Sequence, residues 1–170
     1  MTYTKSNGIL KRLGALVMAL GLTCALAVSA NAATVVDETT TTYSVTINKA
    51  GENELSMAND IVAGDAVATV VDEGVQIDIP IKPIYGYKAM VFLPEADGYL
   101  QSVEAPSAIR AEVIKDAVRY ETATLRIVLA EMPSDGVISV EESNILLYDA
   151  GTSDTYFMSH ITPAFDIVLK

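Results

Sequence analysis

The 170-residue chain has no tryptophan, one cysteine and one histidine, and its 11 basic residues are outnumbered by 22 acidic ones. Each scarcity excludes something. Cys24 stands alone, so no disulfide can form within the chain. His160 is the only imidazole, which rules out a zinc site of the usual Cys/His composition. A Ser-His-Asp arrangement would have to use His160 as its base, and no G-x-S-x-G elbow is present. No glycine-rich phosphate loop and no basic-aromatic stripe occur. The acidic surplus repels nucleic acid and anionic lipid. With 22 acids in the chain, a chance carboxylate pair says little about glycoside chemistry. These absences point away from an enzyme and towards a binding or structural role.

What is present begins with an address. Lys5, Lys11 and Arg12 precede the apolar run LGALVMALGLTCALAV (13–28), and Ala30-Asn31-Ala32 follows. A basic start, a short apolar core and a small-x-small site describe a secretory signal peptide, here residues 1–32. The apolar run is shorter than the roughly 20 residues a membrane span needs. Cys24 follows Thr23, a larger residue than lipoprotein processing prefers, so the segment reads as cleaved rather than lipidated. Cleavage after Ala32 removes three of the 11 basic residues and none of the 22 acids, which leaves a net charge of −14. The remaining chain is the size of one domain. It is expected to be secreted or surface-associated, without an integral membrane span after cleavage.

Residues 33–40 are Thr-rich and read as a flexible lead-in to a domain over 41–170. From there the pattern is β. TTYSVTIN (41–48) places Tyr43, Val45 and Ile47 on one face. DAVATVV (65–71) is β-branched. VQIDIPIK (75–82) alternates Val75, Ile77, Ile79 and Ile81 against Gln76, Asp78, Pro80 and Lys82. Pro80 has no N–H, so that strand needs a local edge or bulge. Asp72-Glu73-Gly74 is a hairpin turn. Further strands are expected at 86–93, 99–105, 108–115, 119–129, 137–142, 144–149, 155–161 and 164–169, with turns at EADG (95–98) and AGTSD (150–154). About ten short runs separated by turns indicate an all-β sandwich or barrel. Only RAEVIKDAV has a helical period. DAGTSD (149–154) offers oxygen ligands but lacks EF-hand spacing, and reads as a turn.

Two regions stand apart from the alternation. ELSMANDIVAG (54–64) sits between two strands and does not alternate. The C-terminal hairpin gathers Tyr148, Tyr156, Phe157, Met158, His160 and Phe165, either as core or as the wall of a groove.

The series YSVTIN, ELSMANDIVAGDAVATVV and DEGVQIDIPI resembles the NEAT (near-iron-transporter) domains of Gram-positive surface proteins. Residues 43–82 carry the specific part; the second half is similar only in general pattern. The resemblance implies an immunoglobulin-like β-sandwich with a short helical lip near residues 55–60, and capture or relay of haem. On that reading Ser56 hydrogen-bonds a haem propionate and Met57 lies over the porphyrin, while the C-terminal hairpin forms the other wall. Haem-binding members carry Tyr-x-x-x-Tyr on the last strand. Here Ile161 and Phe165 occupy those two positions. Phe165 is left as a stacking ring, and His160, with Tyr156 and Met158 as neighbours, as the candidate iron ligand. Partners would be haem or another haem-relay protein. Haemoglobin binding is not expected, because NKAGENE (48–54) lacks the aromatic cluster that precedes the lip in haemoglobin-binding members. The alternative is a structural or adhesive immunoglobulin-like module that does not bind haem.

Overall fold

The computed structural model describes residues 35–37, 40–88, 95–150, 156–161 and 163–170, with only the backbone described for 35–37 and 156–161. The chain forms strands β1 (Val35–Asp37), β2 (Thr40–Tyr43) and β3 (Val45–Lys49), a 3-10 helix (Met57–Ile61), then β4 (Ala66–Val71), β5 (Gly74–Ile81), β6 (Ile84–Tyr87) and β7 (Ala96–Glu104). It continues with β8 (Ala108–Ile114), β9 (Ala123–Leu129), β10 (Val137–Val140), β11 (Glu142–Asp149), β12 (Tyr156–Ile161) and β13 (Phe165–Leu169). All strand pairs are antiparallel.

One layer is a six-stranded sheet in the order β1-β2-β4-β5-β9-β8. The other comprises β10-β13-β3 and β12-β11-β7-β6. These two sheets run into each other, because β10 and β11 are separated only by Glu141 and pair in turn with β13 and β12. The fold is an immunoglobulin-like β-sandwich. One continuous stretch serves both layers: β2 pairs with β4, the chain passes through Ser44, and β3 pairs with β13. At the switch, Ser44 N donates to Lys170 O (2.9 Å) and Lys170 N to Ser44 O (3.0 Å).

The core follows the period-2 pattern. On β5, Val75, Ile77, Ile79 and Ile81 are at most 5% exposed, each burial stabilising the fold by roughly 1.5–3 kcal/mol. Opposite them lie Leu125, Ile127 and Leu129 of β9, and from the second layer Ile47, Leu100, Ile138, Ile145 and Phe165. On the outer face Arg126 Nε and Nη2 donate to the two oxygens of Asp78, both at 2.7 Å. Pro80 sits where β5 has run past the start of β4. Its carbonyl accepts from Ala63 N (2.9 Å), so its missing N–H meets no ladder partner on β4.

Several expectations need correction. EADG is not a turn: β7 already begins at Ala96. Gly98 is a strand residue because a Cβ there would lie 3.2 Å from Ile145 Cγ2 and 3.3 Å from Leu147 Cδ2. The strand expected at 108–115 is present as β8, so the helical period of RAEVIKDAV is not used. Residues 119–122 precede β9 rather than opening it. The strand expected at 86–93 is instead β6, centred earlier, and 89–94 lie outside the described residues. Within the lead-in, β1 pairs with β2.

Gly74 has a φ of 142°, and a Cβ there would meet Leu129 O at 2.0 Å. Gly74→Ala is therefore expected to destabilise the fold by at least about 2 kcal/mol. Gly51 also has a positive φ (71°) but faces open space, so Gly51→Ala is expected to cost about 1 kcal/mol. Urea unfolding of the two variants measures the difference.

Candidate ligand-binding site

The non-alternating stretch folds as the sequence reading expects, into a short helical turn. Ser56 is extended (φ −78°, ψ 154°), and its Oγ accepts from Ala58 N at 3.2 Å. Its carbonyl accepts from Asn59 N (2.9 Å), and Asn59 O accepts from Val62 N (3.1 Å), the i to i+3 spacing of a 3-10 helix. Ala58 and Ile61 are buried and pin the turn to the core. Met57 and Leu55 point the other way and are 66% and 60% exposed.

The turn is bound to β3 along its free edge. Lys49 N donates to Glu54 O (2.8 Å) and Ser56 N to Ile47 O (2.9 Å). Ile47 N donates to Asn59 Oδ1 (2.9 Å). On the far side Lys82 N donates to Ile61 O (2.8 Å). The lip is thus fixed at both ends, with a thioether on its exposed side. Ser56 Oγ spends a lone pair on its cap, and its hydroxyl hydrogen stays available to a ligand acceptor.

The hairpin of β11 and β12 is defined by register. Ile145, Leu147 and Tyr148 stand opposite Ile161, Met158 and Tyr156. The register slips between Met158 and Ile161, so Ser159 and His160 together oppose the single residue Leu146. Such a bulge re-aims side chains locally. The side chains of Tyr156, Met158, His160 and Ile161 lie outside the described residues. Phe165, expected as a stacking ring, is 0% exposed and belongs to the core. It has no free surface for a ligand, because its ring packs in the core cluster between the layers.

Sequence reasoning missed a cluster on β7, β11 and the segment before β9. Tyr99 meets Tyr120 and Tyr148 edge-on, with ring centroids 5.5 and 5.7 Å apart. The Arg119 guanidinium lies over Tyr99 (5.8 Å) and Tyr148 (5.2 Å). Tyr120 Oη donates to Leu100 O at 3.0 Å. Burial, with Tyr99 adding to it, pushes the Tyr120 phenol up to about 12. Lys115 bonds to Gln101 Oε1, and burial lowers its pKa. Gln101 Nε2 donates in turn to Val118 O (3.0 Å). The segment 115–120 therefore covers a sheet face that alternation alone assigns to solvent. The adjacent pair Arg119-Tyr120 was the available signal.

No family model matches the chain, and no curated protein matches it. Solved structures similar to the chain include the NEAT5 domain of IsdX2, a B. anthracis hemophore, in complex with heme, and a point mutant of the same domain with heme. Each is 13% identical with a TM-score of 0.47, and each covers 77% of this chain. The match spans 94% of the IsdX2 domain and 93% of its mutant.

Among the described residues, no group of three or more His, Cys, Asp and Glu could hold a metal ion. Nor is any helix among them long and apolar enough to cross a membrane.

Losing the cap in Ser56→Ala is expected to cost about 1 kcal/mol, and Asn59→Ala about 1–3 kcal/mol by leaving Ile47 N unpaired. Thermal unfolding checks both. Because the Tyr120 pKa is raised in the folded state, its contribution is intact below pH 10.0 and is lost as pH rises towards about 12. The unfolded chain releases that proton first. Denaturation across this window is expected to show falling stability, with a shallower fall in Tyr120→Phe.

Proposed function

We propose that the chain is an exported, non-enzymatic NEAT-type domain that captures haem or relays it to another haem-relay protein outside the cell. The observation that carries this reading is the lip. A capped 3-10 turn stands where the sequence resemblance requires one, with Ser56 at its head and Met57 66% exposed. A hydroxyl donor beside a large apolar side chain suits a flat macrocycle that bears carboxylates. The residues on the lip therefore fit haem. Ser56 would hold a propionate and Met57 would cover the ring.

The iron side is proposed for the hairpin. His160 is the first candidate ligand, with Tyr156 and Met158 as alternatives and Ile161 lining the wall. The backbone register, which slips twice along β12, sets this strand beside β11 at the end of the hairpin. Phe165 takes no part, being core. Export rests on the signal-peptide pattern of residues 1–32.

One observation favours a second reading. In place of the second tyrosine of the family pattern stands a ring that is wholly packed inside. A structural or adhesive module that kept the fold and dispensed with haem would look the same at this position.

Haemin titration of the protein lacking residues 1–32 separates the two. A saturable one-to-one Soret shift is expected, weakened about tenfold in Ser56→Ala. The iron-dependent part of the spectrum should be lost in His160→Ala, or in Tyr156→Phe if the phenol is the ligand. A spectrum no different from free haemin would leave the structural module as the function.

A further inference from the structure

Among the described residues the three sheets end in six strands, β1, β8, β10, β3, β12 and β6, and these edges are not equivalent: β10 has four residues and β12 six. The free side of β3 is covered by residues 54–59. β6 has four residues and β1 three. β8 has seven, closes the six-stranded sheet, and pairs on one side only. Beyond its ladder with β9, its one further backbone bond is the turn Ala108 N to Ala105 O. It also carries two large exposed apolar side chains, Ile109 (54%) and Ile114 (42%). An open edge of this length is a template for another strand unless the sequence blocks it.

The usual block is charge of one sign, which repels a second copy. β8 does not have it. On the outer face it carries Arg110 and Glu112, opposite Val128 and Arg126 of β9. Both are about half exposed, and Arg110 is held only loosely, 3.6 Å from Glu112 and 3.8 Å from Glu73. Arg-x-Glu on one face is self-complementary in an antiparallel pair. With the two-fold axis at Ala111, Arg110 of each copy stands opposite Glu112 of the other. That register pairs residues 110–112, and the two exposed isoleucines, Ile109 and Ile114, flank the paired segment. Other registers are costly: a slip by one residue would oppose unlike faces, and a slip by two would set Arg110 or Glu112 opposite its own counterpart.

We infer that β8 is a homodimerisation edge: two copies pair antiparallel about Ala111 and join their six-stranded sheets into one. The occupant is a second copy because the charges match their own reversed sequence. A foreign peptide would not require that symmetry. A contact of one strand per copy is small, and the domain is strongly acidic, so the dimer is weak and forms at the concentrations of a crowded surface.

The test is sedimentation equilibrium of the protein lacking residues 1–32 from about 10 to 500 μM at moderate salt. A reversible monomer–dimer equilibrium is expected. R110E sets an acid opposite Glu112 of the other copy, and E112R sets two bases together. Each should weaken association at least about tenfold. The double variant R110E/E112R restores opposite charges and should return the affinity to within about threefold of wild type. Matching circular-dichroism melts keep folding out of the comparison. A wild type that stays monomeric throughout overturns the inference and leaves the edge to a different chain. A dimer indifferent to R110E, or one that the double variant fails to restore, overturns it equally.

Discussion

The lip depends on the two backbone groups of Ile47. Its carbonyl accepts from Ser56 N and its N–H donates to Asn59 Oδ1, while its side chain is 1% exposed in the core. One residue thus serves three structures at once: β3, the turn and the sandwich interior. The turn could not be held this way against a paired strand, because Ile47 would have no free backbone groups. β3 has them because the chain changes layers at Ser44, leaving β4 behind and taking β13 as its single partner. The sheet switch and the lip are therefore one arrangement.

The same switch closes the domain from end to end. The reciprocal bonds between Ser44 and Lys170 tie the entry of the sandwich to its last strand. β13 lies between β3 and β10, and its Phe165 packs into the core. This couples the two walls of the proposed site. The strand that supports the lip is also the partner of the strand that continues from the hairpin. A ligand gripping both walls would be held by elements already cross-linked through β13, with little ordering cost on binding.

Electrostatics divides the surface by scale. Globally the domain is acidic, which weakens association between copies and discourages nucleic acid and anionic membranes. Locally the outer face of the six-stranded sheet is balanced, with Asp78, Arg126 and Glu112 in one row across β5, β9 and β8. The Asp78–Arg126 pair is bidentate but about 30% exposed, so it contributes to register more than to stability.

Alternation in the sequence determined much of the fold. Period-2 burial on β5, the hairpin at Asp72-Glu73-Gly74 and the local edge at Pro80 are dictated by side-chain spacing and by what proline cannot donate. The break at ELSMANDIVAG was legible as a stretch without strand period, and its helical form was implied by the family resemblance; the Ser56 cap appears only in the structure. What the sequence could not decide depended on partners distant in the chain. Gly98 reads as a turn until Ile145 and Leu147 are placed against it. Phe165 reads as a candidate ring for a ligand until the residues of the core cluster are placed around it. Tyr99 belongs to the solvent face of its strand, yet a segment some twenty residues later covers it, with Arg119 spanning two rings. Local pattern encodes which face a residue takes. Whether that face is covered is a long-range packing outcome, and tertiary structure alone supplied it.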